Sequence, residues 1–246
     1  MSLLQQVRTT CRGVAEQAKY VHINYDRIPS YAASSLLQQI TRPEHDPKSH
    51  YLEHGDGTVA FFLTLDAINF GSGYFPYLRK RPGMSGYFTV AASLNDYYKK
   101  YGPLSAQQLI QLTLENCAQI FGQDLANEPI HELMQLFLKA LHDLGHYVLH
   151  RFDGSFLALV ESANTSAEQL VQLFIEMPYF NDVEDYYSQQ VFFLKRAQLT
   201  AADLSIAFHG QGFGRFTDLD RLTIFADNLV PLSLIHISEP TRQAEI

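Results

Sequence analysis

Along most of the chain apolar residues return every three or four positions, the spacing of helices that bury one face. Ser105–Phe121 (SAQQLIQLTLENCAQIF) starts with a serine after Gly-Pro, a natural N-cap, and stops at Gly122, so it predicts one helix. Pro129–Phe152 predicts a second, with Leu133, Leu136, Phe137, Ala140, Leu141 and Leu144 on one stripe and Gly145 as a point where it could divide. Ser166–Met177 predicts a third, opening Ser-x-x-Gln like a capping box. Val191–Phe208 predicts a fourth, and Thr217–Phe225 a short fifth capped by Thr217. Thr58–Leu65 (TVAFFLTL) is the best strand candidate, although a fully buried helix reads the same way over so few residues. Strands and helices do not alternate and no segment repeats. The expected class is all-α, or mainly α, in one helical domain.

Composition narrows what such a domain can do. The 246 residues carry 18 Lys plus Arg against 26 Asp plus Glu, a net charge of −8. That balance disfavours non-specific nucleic-acid binding, which needs phosphate neutralisation, but leaves room for a local pocket that takes one phosphate. Cys11 and Cys117 are too few for a disulfide framework or a cysteine-rich zinc site. With no apolar run long enough to span a bilayer and no leader pattern, a cytoplasmic protein is expected. The last residues read differently from the rest. Leu232–Arg242 (LSLIHISEPTR) matches the translation of a transposase adapter used in sequencing libraries, and Gln243–Ile246 would be its continuation. The expectation is a domain over residues 1–231, incomplete at its C-terminal end, followed by a non-native tail at 232–246.

Four motifs bear on chemistry. His50-Tyr51-Leu52-Glu53-His54 has the H-x-x-E-H spacing of an inverted zincin, in which one helix presents two ligands and a base. Gly55-Asp56-Gly57 follows at once and no third ligand stands out, so a pocket or surface role for a histidine is expected instead of a metal. His142, His146 and His150 share one helix stripe, where Asp143 and Arg151 point to a solvated face. Gly210-Gln211-Gly212-Phe213-Gly214 lacks the preceding strand that a dinucleotide loop needs. It reads instead as a glycine-rich hairpin that lets backbone approach a ligand. Lys195-Arg196, set in an apolar helix, is either a solvated edge or a phosphate clamp.

Asp227 follows the hairpin region, with Pro231 shortly beyond it. It reads as a helix N-cap, and the same position would keep its carboxylate ionised through backbone NH groups and the helix dipole. An ionised, partly desolvated carboxylate can steady a developing sugar cation.

Several segments taken in order resemble the queuosine salvage family, the queuosine 5′-phosphate N-glycosylases. They are His50-Tyr51-Leu52, Leu65-Asp66-Ala67-Ile68-Asn69-Phe70, Ser85-Gly86-Tyr87-Phe88 with Ala91, Ala92 and Asn95, Phe152-Asp153-Gly154-Ser155-Phe156, Lys195-Arg196-Ala197-Gln198 and Phe225-Ala226-Asp227. The resemblance runs from about His50 to Pro231; Asn228-Leu229 stands where the family commonly has Tyr-Arg. It implies a fold similar to helix-hairpin-helix DNA glycosylases and hydrolysis of queuosine 5′-phosphate to free queuine, with no metal or cofactor. In those DNA enzymes an essential Asp lies just after the hairpin, and Asp227 matches that position. The resemblance therefore favours Asp227 as nucleophile or stabiliser, with His50 and Phe225 as contacts to the base. Asp203 and Asp66 would read the base edge or hold the helices, with Asp66 expected to pair with Asn69 in a buried turn. Asn69, Phe70, Lys195 and Arg196 complete the expected substrate contacts. Two other classes remain in view: a non-catalytic nucleotide-binding or scaffold protein, and a DNA glycosylase, which the net charge disfavours.

Overall fold

The structure is a computed structural model and describes residues 1–34, 41 and 43–225. Its elements in chain order are α1 (Leu3–Gln17), α2 (Ile28–Ala32), α3 (Asp56–Ala67), α4 (Gly86–Tyr101), α5 (Ala106–Gln111), α6 (Leu114–Phe121), α7 (Glu128–Phe152), α8 (Phe156–Ser162), α9 (Ala167–Phe174), β1 (Val183–Tyr186), β2 (Gln189–Phe192) and α10 (Lys195–Ala207). The molecule is mainly α, as its periodicity predicts. One hairpin, β1 against β2 in antiparallel register Val183↔Phe192 to Tyr186↔Gln189, is the only sheet among the described residues.

The centre of the fold is α3. Ten of its residues, Thr58 to Ala67, are buried, and α4, α7, α8 and α10 pack around it. This is the TVAFFLTL segment, so the strand candidate is a helix. A helix enclosed on all sides is apolar all round and shows no 3.6-residue stripe, which is why its pattern could not be told from a strand.

The long helix α7 is continuous through Gly145. A Cβ at that position would lie 2.7 Å from the Ala106 carbonyl oxygen and 3.0 Å from Leu109 Cβ, so the missing side chain lets α5 cross against α7. Gly145 is a packing device here, not a break. The Ser105–Phe121 helix does divide. Ser105 and Gln108 close a capping box on α5, Leu112 turns extended, and Thr113 with Asn116 closes a second box that starts α6. The Leu112 carbonyl freed at this break accepts from His142 Nε2 at 3.0 Å. Two helices with separate directions cover more of the core than one straight one.

The fourth predicted helix also changes character. Val191 and Phe192 belong to β2, whose ladder closes against α1 through Phe192 N to Thr10 Oγ1 at 3.1 Å. Leu194 in the left-handed region (φ 52°) turns the chain, and α10 follows. Thr217 caps no helix: its backbone NH reaches the Thr165 carbonyl at 2.8 Å, and among the described residues beyond it only a 3-10 turn, Leu219–Arg221, forms. Asp218 does the capping, across the chain. Its carboxylate accepts from Ala167 N at 2.6 Å and from Ser166 Oγ at 2.8 Å, at the N-terminus of α9. Burial pushes its carboxyl up, but these hydrogen bonds win and hold it below the usual range.

Candidate active site

A loop, two helix faces and a segment end meet at one place beside α3. The loop is built on Asp46, whose carbonyl accepts from the backbone NH groups of Ser49 and His50, both at 2.9 Å, and whose side chain accepts from Lys48 N at 2.9 Å. Asn95, fully buried on α4, donates to the carbonyls of Pro47 (3.3 Å) and Lys48 (3.1 Å) and fastens this loop to the helix. His50 is thereby buried to 3% exposure, with Nδ1 3.0 Å from the Asp46 carbonyl and Nε2 3.0 Å from the Tyr87 hydroxyl.

Burial, partly offset by the hydrogen bond to the Asp46 carbonyl, lowers the pKa of His50. The neutral ring must carry its proton on Nδ1, because a carbonyl can only accept, so the Tyr87 hydroxyl donates to Nε2. Burial, with the nearby Asp203 and Asp66 carboxyl groups adding to it, keeps Tyr87 protonated by raising its pKa far above the ordinary phenol value.

His45 lies over the same spot, its ring 4.6 Å from that of His50 and 4.5 Å from Phe62. Its Nε2 donates to the Asp203 carbonyl at 3.0 Å and lies 3.8 Å from the Asp203 carboxylate. Desolvation pushes its pKa down to about 4, so it too is neutral near neutral pH.

Beneath the histidines are two carboxyl groups. Asp66, from the last turn of α3, is 0% exposed, and Asp203, from α10, is 6% exposed. They act on each other directly, with Thr200 and Asn69 alongside. Neither Asp66 oxygen has a donor at hydrogen-bonding geometry, and the Thr200 hydroxyl gives its own proton to the Arg196 carbonyl at 3.0 Å. Desolvation followed by the neighbouring Asp203 raises Asp66 well above the carboxylate range, and desolvation pushes Asp203 up to about 7. Asn69 borders Asp66 as the buried-turn expectation has it, but Asp203 is the group that shares its space.

Phe70 and Arg196 form a flanking wall. The Arg196 guanidinium stacks 5.0 Å over Phe70, which stacks 5.5 Å from Tyr179, and it donates to the Tyr179 carbonyl. Arg196 is therefore no solvated edge. Gln198, buried on α10, accepts from Thr223 N (2.8 Å) and Thr223 Oγ1 (3.1 Å), and so ties the segment leading to half-buried Phe225 onto the same helix. Asp227, and with it the segment from 226 onward, lies outside the described residues.

Three sequence motifs do not form the ligand sites their spacing resembles. His50, Glu53 and His54 fall in irregular chain, with Glu53 at φ 64° and His54 stacked 3.9 Å from Tyr51, so the two histidines do not share a helix face. His146 and His150 are exposed and stacked on the surface of α7. In the glycine hairpin Gly214 turns inward, where a Cβ would lie 2.3 Å from the Leu204 carbonyl oxygen of α10, while Gly210 and Gly212 face open space. His45, Phe62, Tyr87 and Thr200 were not singled out as site residues from the sequence. Only the Ser-Gly-Tyr run carried a signal for one of them, Tyr87.

An open cleft of about 540 Å³ lies elsewhere, between α4, α5 and α6, bordered by Arg81, Tyr97, Lys100 and Asn116. None of the histidine–carboxyl group lines it. Arg81 is already paired with Asp96 at 2.7 Å.

Fold and site together define a mainly helical protein organised around a desolvated carboxyl pair under a layer of neutral histidines and aromatic rings. The model of the queuosine salvage protein family matches residues 49–239, and the chain belongs to that family. It is 35% identical over 236 residues, 94% of this chain and 72% of the relative's length, to a queuosine 5′-phosphate N-glycosylase/hydrolase of Sphaerobacter thermophilus. The proteins of that name from Nematostella vectensis and Dictyostelium discoideum are 31% and 30% identical. The matches cover 80% and 94% of this chain, and 60% and 73% of theirs.

Proposed function

We propose that this protein hydrolyses the N-glycosidic bond of queuosine 5′-phosphate and releases queuine. The observation that carries the reading is convergence. His50, Asp66, Asn69, Phe70, Tyr87, Arg196 and Asp203 come from four separate stretches of sequence and meet around one end of α3. Most belong to the segments that mark the family, and the relatives named for this activity align over 80–94% of the chain.

The chemistry asks for what such a site can supply. The base is a deazaguanine with carbon in place of an imidazole-ring nitrogen, so protonation there cannot prepare it to leave. The bond from C1′ to the base nitrogen breaks with its electron pair on the base. Water then adds its oxygen to C1′, and a proton from it neutralises the base. The barrier falls chiefly by stabilising the cationic sugar, with each ~1.4 kcal/mol worth a factor of ten in rate. Asp227 is the group for that task, as an electrostatic partner or as a transient nucleophile. His50 and Asp203 border the base, Phe225 covers it, and Lys195 at the start of α10 takes the 5′-phosphate. Arg196 holds Phe70 and Tyr179 in place behind them. Asp66 is too deep to touch substrate.

Incubation with queuosine 5′-phosphate, and in parallel with damaged duplex DNA, tests the reading. Queuine release from the nucleotide alone is expected, and Asp227→Asn should abolish it while the helical circular dichroism is retained. Base release from DNA, or binding of the nucleotide without turnover, would replace this reading with one of the two other classes.

A further inference from the structure

Two carboxyl groups in one dry space cannot both be ionised, and Asp66 is the deeper of the two. Neither of its oxygens meets a donor at full hydrogen-bonding geometry, and the pull of Thr200 and Asn69 beside it towards the ionised form is outweighed by burial and by Asp203. A protonated Asp66 removes the problem: it becomes a donor, and the acceptor in reach is Asp203. The other polar groups facing the pair leave this arrangement in place. His45 is neutral and spends its Nε2 proton on the Asp203 backbone carbonyl, and Tyr87 spends its proton on His50. His50 in turn spends its Nδ1 proton on Asp46, and Thr200 donates to Arg196. Asp46, a charged group on the histidine loop, acts on His50. The charge that acts on Asp66 is that of Asp203, and Asp203 feels Asp66 as a hydrogen-bond partner.

We propose that Asp66 is a positioning residue that holds one proton between itself and Asp203, so that Asp203 offers an acceptor oxygen to the NH donors of the base. This rests on the glycosylase reading for the identity of the base, but the proton in the pair does not. Asp66 donates its hydrogen to one Asp203 oxygen, and the other oxygen of Asp203 is left to take NH groups on the guanine-like edge. No proton is transferred in the recognition step. Asp203 accepts more strongly as the ionised carboxylate, so an acidic limb in kcat/KM follows from its titration.

Infrared difference spectra separate the pair from the activity. The wild-type protein near neutral pH should show the carbonyl stretch of a protonated carboxylic acid, and Asp66→Asn should lose it. If wild type lacks that band, the shared proton is refuted, whatever the enzyme does with the nucleotide. In the kinetic arm, Asp66→Asn keeps a donor towards Asp203 and should leave the acidic limb of kcat/KM in place. Asp66→Ala removes the donor and should move the limb upward by about one pH unit, about a tenfold loss on the limb, recovered at higher pH. A merely structural Asp66 would lower the melting temperature of both variants without moving either limb, and that result overturns the proposal. So does a limb displaced to lower pH in Asp66→Asn, because it would mean that Asp66 is an anion in the native protein. Should Asp66→Ala not fold, the spectra and Asp66→Asn still decide.

Discussion

Two regions of this molecule are drawn away from water and differ in what they enclose. Where α5, α6 and α7 meet, the buried groups are apolar and close-packed: Phe137 touches Phe70 and Phe121 edge-on at 5.4 and 5.5 Å, and Gly145 admits the backbone of α5. Where α3, α4 and α10 meet, burial has been spent on two carboxyls, two histidines and a tyrosine. The first region gains stability from every contact it makes. The second holds groups that would be more stable in water, which is the mark of a site shaped for something other than folding.

That contrast can be broken experimentally, and the largest effect belongs to the apolar region. Phe137→Ala should cost about 3–5 kcal/mol in urea unfolding, because the cavity sits between helices that cannot collapse into it. Next is Gly145→Ala, a substitution that by helix propensity alone would stabilise by about 1 kcal/mol. Its Cβ meets backbone at 2.7 Å, so overpacking wins and a net loss of about 1–2 kcal/mol is expected in the same measurement.

The polar region should respond to pH instead. Asp66 and Asp203 have pKa values raised by folding, so the native state binds their protons more tightly than the unfolded chain does. Their contribution is fully present below the ordinary value of 3.8 and is lost as pH rises, for Asp203 by about pH 7. Asp66→Asn should therefore flatten the loss of stability with rising pH, by up to ~1.4 kcal/mol per pH unit for the proton removed. An unchanged slope would mean that Asp66 does not hold a proton. The smallest effect is on the other side. His45 is lowered from 6.5 to about 4, so its neutral form is stable above pH 6.5 and stability is lost as pH falls towards 4. His45→Gln should soften that acid-side loss, readable as a higher melting temperature than wild type near pH 5 relative to their difference at pH 7.

Much of the frame was legible beforehand because helix ends carry local chemistry. Ser105, Ser166 and Gly122 mark real boundaries, since a side-chain oxygen or a missing Cβ satisfies the helix end whatever surrounds it. The interior of α3 was not legible, because an enclosed helix loses the periodicity that would announce it. The division at Leu112 was missed for a related reason: the carbonyl it frees is satisfied by His142, thirty positions away. At the site, His50, Asp66, Asn69, Phe70, Arg196 and Asp203 were nominated through family resemblance, whereas His45 in its irregular Glu-His-Asp-Pro run offered no pattern at all.

What the sequence determined unaided is therefore the mainly helical class, many of its caps, and the set of segments that place the chain in its family. Each of those depends on near neighbours in the chain or on residue order. Only the tertiary structure decided that Asp66 faces Asp203, that Tyr87 must donate to His50, and that Gly214 packs against the backbone of α10. Those depend on how far each group is removed from water and which partner is left to it, and both are properties of the packed molecule.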